Sequence, residues 1–182
     1  MKRSLFAAAL AGIALVSTSF EAGAQMTTSA AKPVQFGVFG GVAIPSGDLS
    51  SDFNTGFSAG ATVGFNSALI PLGIRIDGAY HQFGLKGGGA NSHFTTVTGN
   101  LVYQMPSASF TPYAIGGVGL YNVGVTANGI GSGSENHFGW NAGGGIKMAL
   151  SGFDTFVEAR YHRATGVDAT LAWIPITFGV MF

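Results

Sequence analysis

Side chains in this chain change character at every second residue. In the closing segment TLAWIPITFGVMF, Ala172, Ile174, Ile176, Phe178, Val180 and Phe182 fall on one face. Leu171, Trp173, Pro175, Thr177, Gly179 and Met181 fall on the other. Successive strand residues point to opposite sides, so one side is wholly apolar and the other mixed. FVEARYH behaves alike: Val157, Ala159 and Tyr161 oppose Phe156, Glu158, Arg160 and His162. In GIRIDGAYH, Ile74, Ile76, Gly78 and Tyr80 oppose Arg75, Asp77, Ala79 and His81. In HFGWNAGGGIKM, Phe138, Trp140, Ala142, Gly144, Ile146 and Met148 oppose Asn141 and Lys147. No sustained helical period competes. Short alternating runs separated by Gly, Ser, Asn, Asp and Pro indicate a β-barrel or sandwich. Eight strands are expected, over residues 34–44, 55–65, 73–84, 93–104, 112–126, 137–148, 154–163 and 170–182.

Alternation does not say which face is inside. A soluble barrel turns its apolar face inward; a membrane barrel turns it to lipid and lines its interior with polar groups. Only 9% of the residues are charged, against about 25% in an ordinary soluble domain. The exterior of a soluble barrel would carry only Arg75, Asp77, Lys147, Glu158 and Arg160 within its strands. That deficit also excludes a nucleic-acid binder, which needs a basic patch, while the aromatic content excludes a disordered chain. Without cysteine there is no disulfide framework and no thiolate metal site.

The first 24 residues favour the membrane. Lys2 and Arg3 precede an apolar run from Leu5 to Val16, and Ala22-Gly23-Ala24 ends it. This is a secretory signal pattern, too short for a transmembrane helix of about 20 residues. The expected organisation is a signal peptide over 1–24, a flexible polar lead over 25–33 and one barrel domain over 34–182.

Aromatic residues collect towards the strand ends of the apolar face. Phe36, Phe65, Tyr103, Tyr113 and Phe182 fall at one end, and Phe57, Tyr80, Tyr121, Phe138, Trp140 and Tyr161 at the other. Two girdles flanking an apolar band suit membrane interfaces. In lipid every backbone group must be paired, so strands cross only as a closed barrel. An eight-stranded barrel is narrow enough for side chains to fill. Gly60, Gly64, Gly116, Gly143, Gly145 and Gly179 are expected inside, making room for larger neighbours. Pro175 removes a ladder hydrogen bond where a closed barrel has no spare edge, which predicts a bulge or local irregularity there. The long run 112–126 is a second place for a bulge.

The signal peptide, FGVFGGVAIPSGD in the first strand, FVEARYH in the seventh and the terminal IPITFGVMF together resemble the small eight-stranded outer-membrane β-barrel family of the OmpA/OmpX type. The likeness covers residues 34–182. It implies an all-β, closed, antiparallel up-and-down meander in the outer membrane of a Gram-negative cell. It also implies that Phe182 is read by the outer-membrane assembly machinery. The periplasmic peptidoglycan-binding domain of OmpA is not implied, because the chain stops at the last strand. With both termini in the periplasm, the connections near 66–72, 105–111 and 149–153 become periplasmic turns. Those near 45–54, 85–92, 127–136 and 164–169 face outside; KGGGANS and NGIGSGSEN are flexible by composition. They are short, and a protruding sheet or receptor cap would be hard to build from them.

The charged strand residues Arg75, Asp77, Lys147, Glu158 and Arg160 are expected to form an ion-pair network in the lumen, since buried charges must be paired. His81 and His162 lie near its outer end. A gated pore is the competing use of the same residues. Lipid A deacylases, also small outer-membrane barrels, carry a His with a Ser and an acid. Here His162 and Glu158 share a face, but Arg163-Ala164-Thr165 follows, with no Ser two residues on. Catalysis would need a nucleophile bonded to a base, and none is identified. His81, His93, His137 and His162 have no paired ligand spacing, and Asp48 and Asp52 in SGDLSSD fall short of a calcium loop. GGVG at 116–119 and GGGIK at 143–147 match no nucleotide-binding spacing. No metal and no cofactor is therefore expected, and no enzymatic site. The partners implied are outer-membrane lipid and the assembly machinery, with the barrel monomeric. Its expected role is structural or surface-interacting, with a narrow low-conductance pore and a lipid-modifying enzyme as alternatives.

Overall fold

The computed structural model describes residues 32–67, 69–88, 90–105, 107, 110–127, 130–166 and 171–182. The signal segment 1–24 and residues 25–31 of the lead lie outside the described residues. Eight strands run β1 (Val34–Gly47), β2 (Gly56–Asn66), β3 (Leu72–Gly84), β4 (Ala90–Gln104), β5 (Thr111–Ala127), β6 (Ile130–Ala149), β7 (Asp154–Ala164) and β8 (Leu171–Met181). Each pairs antiparallel with its sequence neighbours, and β1 pairs with β8 to close the barrel. The seam is sealed at the last residue: Phe36 N donates to Phe182 O at 3.2 Å and Phe182 N to Phe36 O at 2.7 Å. One short helix, α1 (Leu49–Asp52), follows β1 and puts Leu49 over the barrel mouth.

The apolar faces look outward. Phe178 and Val157 are exposed on the wall, whereas Arg160 and Asp77 are 5% and 2% exposed within. Phe36, Phe65, Tyr103 and Phe182 stand on the outer wall at the end carrying the termini, and Phe57, Tyr80, Phe138, Trp140 and Tyr161 at the other. Tyr113 and Tyr121 depart from the girdles expected for them. They lie inside the barrel, 5% and 0% exposed. Both faces of β5 are small or apolar, so its alternation is ambiguous, and pairing with β4 and β6 turns Tyr113, Ile115, Gly117, Gly119 and Tyr121 inward. By the same parity Gly116 faces outward, opposite Leu101 and Ala142, and not the lumen as expected. Gly60, Gly64, Gly143, Gly145 and Gly179 do face inward. A Cβ at Gly179 would collide with the Phe156 ring, and one at Gly60 with the Phe39 ring.

Two further expectations need amendment, and a third holds in one of its two forms. Most of the segment 127–136, read as loop from its Gly and Ser, is strand: β5 and β6 form a hairpin of 17 and 20 residues. Register shifts between Gly124↔Ser134 and Val125↔Ser132, so Gly133 is the extra residue of a bulge in β6. At Pro175 the expected local irregularity is present as a gap in the ladder, without a register shift. The β1 side pairs continuously through Pro175↔Ala43, while on the β7 side the ladder skips from Ala159↔Ile176 to His162↔Trp173. The ring therefore costs ladder bonds on one side only, without a bulge. Finally, Lys32 and Pro33, placed in a flexible lead, are tied to the barrel. Lys32 Nζ donates to Gly152 O at 2.9 Å, and Asn66 N to Pro33 O at 2.9 Å.

The rim opposite the termini is uneven. The last β6–β7 pair is Gly139↔Ala164, and Phe138 O accepts the Thr165 N–H at 2.8 Å. Residues 130–137 of β6 continue beyond it, paired among the described residues only with β5. The barrel thus carries a partial sheet above one side of its mouth. From loop length such a sheet is expected to be hard to build. Long glycine-rich runs supply it because an antiparallel partner satisfies their backbone whatever their side chains.

Candidate functional site

The lumen is the one place where charged chemistry converges among the described residues. Alternation on β3 points Arg75 and Asp77 inward, and alternation on β7 does the same for Glu158 and Arg160. Arg75 and Glu158 lie on strands across the lumen from one another. Arg75 Nη2 donates to Glu158 Oε2 at 2.7 Å and Oε1 at 2.9 Å. Arg160 Nε lies 2.7 Å from Glu158 Oε1, and Arg160 Nη1 donates to Asp77 Oδ2 at 2.8 Å. Arg75 Nε lies 3.0 Å from Asp77 Oδ1. Each cation thus touches both acids, and the four side chains sum to zero charge. Such closure is what makes buried ions tolerable.

Neutral donors complete the layer. Tyr113 donates its hydroxyl to Glu158 Oε2 at 2.8 Å. Asn100 Nδ2 donates to Asp77 Oδ2 at 3.0 Å, and Asn141 Nδ2 to Asn100 Oδ1 at 2.9 Å. The Arg75 guanidinium lies 5.5 Å from the Phe156 ring centroid, within cation–π range. The sequence reading did not assign Tyr113, Asn100 and Asn141 to this network. Their only sequence signal is inward parity beside a charge, which β5 obscures. Lys147 is inside but stands apart, 3.7 Å from Asp154 Oδ2 near the termini. There Gln35 donates to Asp154 Oδ2 at 2.6 Å and Asn66 to Gln35 Oε1 at 3.0 Å.

Above the ions, away from the termini, lies a histidine layer. His81 Nδ1 is 2.9 Å from Ser58 Oγ, and His162 Nδ1 is 3.2 Å from Tyr121 Oη. The His162 ring stacks on Trp173, centroids 5.4 Å apart at 14°. His162 Nε2 and Trp173 Nε1 are buried with no hydrogen-bond partner among the described residues. Phe83, Phe94, Tyr121 and Trp173 then fill the mouth beneath Leu49, most of them under 2% exposed. On the side of the termini, Phe39, Val102, Ile115, Phe156 and Met181 pack a second apolar plug.

Two small chambers lie along the lumen. One, about 10 Å³, lies between the ions and histidines, and the other, about 30 Å³, lies between the ions and the termini. A single water needs about 10–15 Å³ of such space. The Ser58–His81 pair has the distance of a hydroxyl and its base. Both residues are at most 2% exposed and face this water-sized chamber, which admits no acyl chain. Among the described residues no group of three metal-ligating side chains converges. His93 faces outward, stacked on Tyr80 with centroids 6.1 Å apart, and His137 sits 3.7 Å from the exposed Glu135.

An apolar exterior, aromatic ends and a charged, filled interior describe a barrel made for lipid. The model of the outer membrane protein beta-barrel domain matches residues 8–178. The chain belongs to this family of outer-membrane β-barrels. The cell outer membrane is accordingly its location. Solved barrels share the fold at low identity. Neisserial surface protein A, NspA, is 19% identical with a TM-score of 0.69, over 82% of this chain and 96% of that one. Ail, the attachment invasion locus protein of Yersinia pestis, is 16% identical with a TM-score of 0.51, over 83% and 100%. The N-terminal barrel of Pseudomonas aeruginosa OprF is 14% identical with a TM-score of 0.51, over 82% and 96%. No curated protein matches the sequence.

Proposed function

We propose that this outer-membrane barrel is a closed, monomeric, non-enzymatic element of the envelope that works through its outer end. The observation that carries the reading is the lumen, filled by an ion-pair layer between two aromatic plugs, with water-sized chambers on either side. A conducting barrel needs a continuous hydrated path, and four mutually bonded ions with no excess charge offer none. The termini are assigned to the periplasm, which directs the β4–β6 extension to the outside. There it presents the edge of residues 130–137, which has no ladder partner among the described residues. The names of NspA and Ail, a surface protein and an attachment protein, agree with a surface role. Phe182, whose backbone seals the seam, is the residue the assembly machinery is proposed to read.

Planar-bilayer recording of the purified barrel tests the reading. The expected result is no steady unitary current. Steady unitary currents that change when Arg75 or Glu158 is altered would establish a pore instead.

A further inference from the structure

We propose that Arg163, bracketed by Phe138, Trp140 and Tyr161 on the outer wall, binds the phosphate of an outer-leaflet glycolipid. The inference rests on the proposed orientation, with the termini in the periplasm. Among the described residues the strands put every charged side chain into the lumen or beyond the barrel ends, with this one exception. On β7, Tyr161 faces out and His162 in, so Arg163 faces out and is exposed. It pairs directly with Trp140 on β6. Trp140 and Tyr161 form a platform beside it, their centroids 5.5 Å apart. Phe138, two residues above Trp140 on the same face, is 57% exposed.

Depth decides what such a cation meets. An arginine on the lipid face is costly at the bilayer midplane and nearly free at the interface. One two-residue strand step, tilted about 40°, rises about 5 Å along the membrane normal. Arg163 therefore lies about 5 Å outside the ring of Tyr161, paired with Trp140 and one strand step short of Phe138, within the interfacial aromatic belt. The guanidinium has no ion pair or hydrogen bond among the described residues, unlike Arg75 and Arg160 a few ångströms inside the wall. Its planar fork suits bidentate bonding to phosphate. The rings around it suit the sugar and the first acyl carbons, amphipathic surface on amphipathic surface. A cation that only snorkelled to water would have no use for this bracket.

Native mass spectrometry of the intact barrel in detergent tests the contact. The probes are diphosphoryl lipid A and its chemically dephosphorylated form. One diphosphoryl lipid should be retained, with the dephosphorylated form bound at least tenfold more weakly. Arg163→Gln should lose about tenfold in apparent affinity and Arg163→Lys less, since a point charge keeps the attraction without the fork. Lys86→Gln, a cation at the same end tied to Ser50 O, should bind as the natural protein does. Equal retention of the two lipids by the natural barrel would overturn the proposal. So would unchanged binding by a folded Arg163→Gln variant, and the lipid comparison decides even if that variant fails to fold. Orientation is read separately. The chain lacks cysteine, so Glu135→Cys can be labelled with an impermeant maleimide on intact cells. Labelling supports the orientation on which the proposal rests. Protection there would remove the lipid's access and overturn it as a membrane contact, whatever the detergent result.

Discussion

Replacing Glu158 by glutamine removes the acid that both lumen arginines share. Its carboxylate accepts two bonds from Arg75, lies 2.7 Å from Arg160 Nε and accepts the Tyr113 hydroxyl at 2.8 Å. The residue is 3% exposed, so solvent screens little of this. Glutamine keeps the volume and one acceptor oxygen but leaves two guanidiniums facing Asp77 alone. Breaking one partner of a buried ion network costs about 3–5 kcal/mol, or roughly two to three and a half powers of ten in the folding equilibrium. Urea unfolding in lipid vesicles, followed by tryptophan fluorescence, gives the quantity directly. A second variant separates charge imbalance from lost packing. Arg75→Met together with Glu158→Gln restores neutrality with Arg160 and Asp77 still paired, so it should cost clearly less than the two single changes added. Additive losses, or a loss under about 1 kcal/mol for Glu158→Gln, would show that the network does not hold the barrel together as argued.

Glycine substitutions should split by face: Gly179→Ala collides with Phe156 and should cost about 1–3 kcal/mol on urea unfolding, whereas Gly78→Ala, with nothing within 4 Å, should be close to neutral. The two tryptophans should respond oppositely to brominated acyl chains. Trp140, in a Trp173→Phe background, should be quenched, and Trp173, in a Trp140→Phe background, should not, since one is 39% exposed on the wall and the other is buried in the lumen. Ile76→Arg, a charge on the outer wall towards mid-strand, should lower stability in bilayers by about 2–4 kcal/mol; an unchanged urea midpoint would contradict the lipid-facing assignment of β3.

Sidedness was legible wherever one face of a strand carried a charge. Arg75 and Asp77 fix β3, and Glu158 and Arg160 fix β7, because ions have one tolerable side in this barrel. Strand β5 has no such marker. Tyr113 and Tyr121 were therefore placed with the girdles, and Gly116 with the lumen, each on the wrong face. A tyrosine reads as an interfacial residue by composition, yet Tyr113 is needed inside as a donor to Glu158. Partner choice was also hidden: Arg75 meets Glu158 only because ring closure sets β3 across from β7. The length of β6 was hidden for a different reason. Gly and Ser mark loops statistically, but in a hairpin the backbone ladder alone can hold them. Arg163 was visible as an odd residue out by parity, though the sequence reading noted it only as a departure from the deacylase pattern.

The join between Phe36 and Phe182 has a consequence for biogenesis. The first and last strands are neighbours, so the cylinder has no seamless form until β8 has been synthesised. A chain released early would expose two unfinished borders, of β1 and of whichever strand came last, and neither could rest in hydrocarbon.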